Sequence, residues 1–289
     1  MIKTEQVNSQ LLVRSMFQPA LLPRANDDHK GSYGSVAIIG GDAGMVGAAI
    51  LAARAALLTG AGRVYAALLS DNAPVVDLHF PEIMLRPSST LINLSQLNAV
   101  IIGPGLGQRQ IAIELLEFWL TQNVSMLLDA DALNLIATNP YLQKLIRKRQ
   151  AETVITPHPG EASRLLGLST KHVQQNRTVC ALELAKSLHV TCVLKGAGSV
   201  CAHYDGRLFI NTSGNPGLAS GGTGDVLSGV IGSLMAQGLS GLDAAKLGVF
   251  VHGDAADALV ARGVGPVGLT ASDVTIEIRN VINQLNKVI

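Results

Sequence analysis

The chain has 289 residues, 48% of them hydrophobic, 15% charged and 3% aromatic, with a formal net charge of +1. That length suits one large α/β unit with a deep core built from Ala, Val, Ile and Leu. The near-zero charge gives nucleic acid or an anionic membrane nothing to recognise.

Residues 1–30 read as an N-terminal extension, with Pro19, Pro23 and the polar run Asn26-Asp-Asp-His-Lys30. Met1 to Gln10 is polar, so no targeting segment is expected. No apolar helical stretch reaches the length of a membrane span. The three cysteines, Cys180, Cys192 and Cys201, are too few and too irregularly spaced for a disulfide framework or metal knuckle. They read as reduced, buried thiols in a soluble, cytoplasmic protein.

The first expected strand is 35–39. It runs into the turn Gly40-Gly-Asp-Ala-Gly44 and an Ala-rich helix near 47–59, closed by Gly60; strand 63–69 then completes a βαβ unit. The turn lacks the glycine spacing of a dinucleotide fingerprint and the Lys-Ser/Thr pair of a P-loop, so a ligand-free turn and a binding loop both fit it. Strand 99–102 ends in Gly103-Pro-Gly-Leu-Gly107 and leads into helix 110–120. Strand 125–128 ends in Asp129-Ala-Asp131, where Asp131 reads as the cap of a helix starting near Ala132. Asp129 is left open between a cap and a metal ligand acting through water.

The short strand 154–155 ends in Thr156-Pro-His-Pro-Gly-Glu161. Prolines on both sides stiffen the loop and hold the imidazole of His158 at the strand end, which suits substrate contact. Glu161 suits structure, the start of the next helix, or metal support. A helix over 173–188 and a strand over 191–194 follow, and the strand ends in Lys195-Gly-Ala-Gly-Ser199. Turn amides beside an ammonium suit a nucleotide phosphate or ribose. Strands 199–204 and 207–211, joined by Asp205-Gly206, read as a β-hairpin.

Asn211-Thr-Ser-Gly-Asn-Pro-Gly-Leu-Ala-Ser-Gly-Gly-Thr-Gly-Asp225 carries five glycines and runs into a helical apolar stripe near 226–237; a second helix follows near 242–260. Glycine carries an entropic cost, so this density just before a helix points to function. Free N–H groups at a helix start hold anions, and Asp225 is placed to take a proton from whatever attacks the phosphate. Nearly every glycine-rich or polar cluster falls at the C-terminal end of an expected strand, the edge where open α/β sheets bind ligands.

Together, Lys30-Gly-Ser-Tyr-Gly34, the Gly40–Gly47 loop, Gly103-Pro-Gly105, Asp129-Ala-Asp-Ala-Leu133, Thr156-Pro-His-Pro-Gly-Glu161, Lys195-Gly196 and Gly214-Asn-Pro-Gly-Leu-Ala-Ser-Gly-Gly-Thr-Gly-Asp225 resemble the ADP/ATP-dependent NAD(P)H-hydrate dehydratases over residues 28–285. The resemblance implies a single ribokinase-like domain over 1–289: a three-layer α/β/α fold on a central, mostly parallel sheet, with no epimerase domain. It implies that a nucleoside phosphate phosphorylates the C6 hydroxyl of the S epimer of NADH-hydrate or NADPH-hydrate (NADHX, NADPHX). Phosphate, a far better leaving group than hydroxide, is then eliminated.

By the same resemblance Asp225 is the base, and the amides of Gly222, Thr223 and Gly224 form the anion hole. Lys195, Gly196, Ala197, Gly198, Ser199 and Gly224 contact the adenylate, and Ala49, Gly105, His158 and Asp225 contact the hydrate. Ser199 stands where threonine is common, which keeps the hydroxyl. Mg2+ with ADP (or ATP), a separate epimerase and a homotetramer complete what the resemblance implies, with Glu161 or Asp129 the candidate metal supports. The alternatives are a superfamily kinase acting on a vitamin-precursor alcohol and, from another class, a non-catalytic adenylate-binding regulator.

Overall fold

Val36, Ala37, Ile38 and Ile39 are all fully buried, as are Val100, Ile101 and Ile102. Side chains on a strand alternate between faces, so such runs require cover on both sides of the sheet. The computed structural model, which describes residues 9–21 and 23–287, supplies that cover. In chain order the elements are β1 (Gln10–Leu12), β2 (Ser35–Gly40), α1 (Val46–Leu58), β3 (Arg63–Leu68), β4 (Met84–Leu85), α2 (Ser88–Leu91), β5 (Ala99–Ile102), α3 (Gln110–Leu120), β6 (Ser125–Leu128), α4 (Asp131–Thr138), α5 (Pro140–Lys148) and β7 (Thr153–Ile155). Then come α6 (Pro159–Leu166), α7 (Thr170–Gln175), α8 (Arg177–Leu188), β8 (Thr191–Leu194), β9 (Val200–His203), β10 (Leu208–Asn211), α9 (Thr223–Ala236), α10 (Gly241–Ala261) and α11 (Ala271–Leu285).

The strands form one sheet in the order β1-β10-β9-β8-β7-β6-β5-β2-β3-β4. Only β9 runs against its neighbours, as the returning arm of a hairpin. Val36 and Ile38 of β2 point into a core shared with α1, α9, α10 and α11. Ala37 and Ile39 point into a second core, shared with α3–α8. The expected three-layer α/β/α architecture is therefore present, and β5, α3, β6 and β8 match their expected limits residue for residue.

Two expectations need correction, and two elements are added to them. Within the 1–30 extension β1 pairs in parallel with β10 along the sheet edge, while residues 1–8 lie outside the described residues. The helix expected over 173–188 is two helices, parted at Asn176 (φ −131°, ψ 42°), whose side-chain amide donates to the carbonyl of His172. Asp131 does not cap α4 but is its first residue, and its Oδ2 accepts from the Gly107 amide at 2.9 Å. The chain adds a last helix, α11, which opens with a capping box between Thr270 and Asp273.

Candidate active site

The strand ends meet α9 around Asp129, which is 1% exposed. Its Oδ1 lies 2.6 Å from the Lys195 ammonium and its Oδ2 accepts from the Ser228 hydroxyl at 2.6 Å. A buried carboxylate tolerates that environment only when paired and hydrogen-bonded, and each charge-assisted bond contributes about 1.5–3 kcal/mol. Both oxygens are thus committed to protein donors. Lys195 is fixed at its other end by its amide, which donates to the Pro157 carbonyl at 2.9 Å. Burial works against the ammonium, but the charges of Asp129 and Glu161 outweigh it and raise the pKa, so Lys195 stays charged. A Cβ placed on Gly224 would lie 3.6 Å from Nζ, so the cation stands against the first turn of α9.

That first turn is built to accept an anion. Gly222 sits at φ +88°, where a Cβ would also come within 2.5 Å of Leu51 Cδ1, so only glycine fits. The amides of Gly222, Thr223, Gly224 and Asp225 meet no backbone acceptor among the described residues, as helix geometry dictates for a first turn. The Thr223 hydroxyl donates to the carbonyls of Leu218 (2.8 Å) and Ser220 (2.9 Å), which braces the turn. His252 braces it from α10, with Nε2 at 3.0 Å from the Thr223 carbonyl. Burial pushes the His252 pKa down to about 4, so the ring is neutral and Nε2 carries the donated proton. Asp225 is the third residue of α9, and its pKa is pushed up to about 7, chiefly by burial and then by the charge of Asp129. A carboxylate titrating there is matched to general-base work near neutral pH.

Beside this turn opens a cavity of about 530 Å3. Lys195, Gly196, Ala197, Gly198, Ser199 and Gly224, the whole expected nucleotide set, line it. The Asn211–Pro216 segment forms another wall, shaped by Asp257, which accepts from the Gly214 amide (2.7 Å) and the Asn215 side chain (2.9 Å). His252 and Asp257 went unnoticed in the sequence because they stand mid-helix in α10, with no motif around them.

Asp225, His158, Gly105 and Ala49 lie outside the lining of that cavity. The loops after β2 and β5 are tied together: the Gly41 amide donates to Pro104 (3.0 Å), the Asp42 amide to Gly105 (2.6 Å), and Arg109 grips the Asp42 carboxylate at 2.9 and 2.5 Å. Gly105 is buried in the second of these loops, and Ala49 is buried in the first turn of α1, which follows the first. His158 caps α6: Nδ1 accepts from the Gly160 amide at 2.9 Å, and Nε2 lies 3.3 Å from Glu161 Oε1. Burial, followed by the charges of Lys195 and Arg164, lowers the His158 pKa, which keeps the ring neutral at pH 7. Glu161 returns the cap by accepting from the His158 amide at 2.8 Å, and burial raises its pKa. No group of three or more His, Cys, Asp or Glu among the described residues could hold a metal.

The model of the NAD(P)H-hydrate dehydratase family matches residues 36–279. The chain belongs to that family.

Among NAD(P)H-hydrate dehydratase relatives, the ADP-dependent (S)-NAD(P)H-hydrate dehydratase of Neisseria meningitidis is 40% identical, covering 95% of each chain. The bifunctional NAD(P)H-hydrate repair enzyme of Escherichia coli is 44% identical over 91% of this chain and 50% of its own. The chain thus spans about half the length of such bifunctional relatives. A crystal structure of the Bacillus subtilis ADP/ATP-dependent NAD(P)H-hydrate dehydratase, co-crystallised with ATP and Mg2+, superposes with a TM-score of 0.86 at 30% identity, covering 96% of this chain and 99% of that one. The fold is the ribokinase-like one expected from the sequence.

Proposed function

We propose that the protein dehydrates (S)-NADHX and (S)-NADPHX to NADH and NADPH, coupled to cleavage of ADP to AMP and phosphate. ATP would yield ADP in the same way. The observation that carries this reading is the α9 start, where free amides, the Lys195 ammonium and the raised-pKa Asp225 meet beside a cavity lined by the whole expected nucleotide set. Asp225 takes the proton of the C6 hydroxyl as that oxygen attacks the terminal phosphorus of ADP, and AMP leaves. The C6–O bond then breaks with loss of a C5 proton; phosphate departs and the C5=C6 double bond returns. The amides of Gly222, Thr223 and Gly224 hold the charge on the phosphoryl oxygens throughout. Ala49 at the start of α1, with Gly105 and His158 on the adjoining loops, would bound the hydrate.

The described residues do not make a resident metal site, since Asp129 is engaged by Lys195 and Ser228, and Glu161 by its cap. Magnesium would enter with the nucleotide, bound to its phosphates, and offset their charge. A cytoplasmic location, a separate epimerase supplying the S form, and a homotetramer belong to the same reading. The exposed Val75 and Leu78 (92% and 88%) provide apolar surface for self-association. Light scattering should give four times 30.2 kDa, and a monomer mass would remove the tetramer from the proposal.

The test is direct. Purified protein with (S)-NADHX, ADP and magnesium should restore the near-ultraviolet absorbance of NADH while releasing AMP and phosphate in equal amounts. No recovery with ADP or ATP would sink the dehydratase reading. Accumulation of a stable phosphorylated alcohol would point to a kinase instead.

A further inference from the structure

Arg177 opens α8. A cation there opposes the helix dipole, which favours anions at that end. Its guanidinium is engaged elsewhere: it donates to the carbonyls of Lys195 (3.2 Å), Leu194 (3.1 Å) and Gly198 (3.2 Å). One planar fork therefore spans the Lys195–Ser199 turn from the α8 side of the sheet. The cavity lies on the other side, walled by Thr223 and Leu227 of α9 and by Val249 and His252 of α10.

Peptide planarity converts this grip into a binding surface. In a trans peptide the N–H of one residue points opposite to the C=O of the residue before it. Holding the Lys195 and Gly198 oxygens on the guanidinium turns the amides of Gly196 and Ser199 away from it. No amide from Gly196 to Ser199 finds a backbone acceptor among the described residues, yet all these residues line the cavity. A run of free amides facing a cavity is an anion-binding nest, and here its shape depends on one side chain outside it.

We propose that Arg177 is a positioning residue for the nucleotide: it presents the Gly196 and Ser199 amides to the phosphate and ribose oxygens of a bound adenine nucleotide. This rests on the reading of the cavity as the ADP site. Arg177 acts through the turn and does not itself touch the ligand. Lysine replaces it only in part, because an ammonium is a compact point donor and cannot span three carbonyls as the guanidinium fork does.

The test measures ADP binding by calorimetry, together with the steady-state constants for both substrates, in wild type, Arg177→Lys and Arg177→Met. The expected result is ADP affinity and KM for ADP weakened on the order of tenfold in Arg177→Met, and by less in Arg177→Lys. KM for the hydrate should stay near wild type, while loss of the three carbonyl contacts lowers the unfolding temperature without ligand in Arg177→Met. In Arg177→Ala, low millimolar guanidinium should restore part of the ADP affinity, which a general packing role would not allow. Arg177→Lys and Arg177→Met binding ADP like wild type, or losing ADP and hydrate affinity in parallel, would overturn the proposal while leaving the cavity assignment intact. A wild-type protein that binds no adenine nucleotide would overturn the assignment beneath it as well.

Discussion

The carboxyl of Asp225 stays protonated to about pH 7 because burial and the neighbouring charge of Asp129 both penalise its ionised form. The sign of the consequences follows. In the unfolded chain the group ionises near its ordinary value of 3.8, so its contribution to stability falls as pH rises from there to about 7. The base is active only when ionised, so the rate should rise through the same upper limit. Asp225→Asn should abolish turnover, keep ADP binding, and make the protein more stable than wild type above pH 7, by at most a few kcal/mol, with the difference vanishing near pH 4. Turnover in that variant near the wild-type rate would remove Asp225 as the base. The candidacy of Asp225 was legible in the sequence because a glycine-rich helix start with a trailing carboxylate is a local pattern. The Ser228–Asp129–Lys195 chain was not, since its members are 99 and 66 positions apart and nothing local marks Ser228. Arg177 left no trace either, since the helix start it occupies exists only because of the break at Asn176.

Among the helices, α9 carries the site at its first turn. It packs on α1, and Gly229 sits so near the Ala52 carbonyl that an added Cβ would be 2.1 Å from the oxygen. The small side chains of Ala52 and Ala55 on α1 let the two backbones approach. This depth holds the first turn of α9 against the strand ends. Gly229→Ala should force the helices apart and cost about 1–3 kcal/mol, read as a lower unfolding temperature. An unchanged melting curve would show that the contact is softer than the geometry states. Helices with an unbroken apolar stripe, such as α3, were legible from sequence. The break between α7 and α8 was not, because Asn176 interrupts an otherwise continuous stripe only through its backbone twist and its side-chain bond to His172. The last helix, α11, did carry a signal: Thr270 and Asp273 form a capping box, and Val274, Ile278, Val281, Ile282 and Leu285 recur at helical spacing on its buried face.

At the scale of the whole molecule, the parallel sheet brings to one edge groups that the chain scatters from Gly40 to Asp225. Parallel strands all end on the same side, so each glycine turn or acidic pair arrives beside the others. That convergence was legible once the strands were placed, because period and turn chemistry locate strand ends. The division of labour between the loops was less so. The cavity is closed by Asn211–Pro216 and by α10, whose contributions depend on long-range packing. The central claim is that the C6 oxygen of the hydrate leaves as phosphate, having accepted a phosphoryl group at the start of α9. One measurement addresses it most directly: turnover of (S)-NADHX carrying heavy oxygen in its C6 hydroxyl, with unlabelled ADP, followed by mass analysis of the products. The account predicts one heavy oxygen in each phosphate released and none in water; heavy water with unlabelled phosphate, while ADP is still consumed, would contradict it.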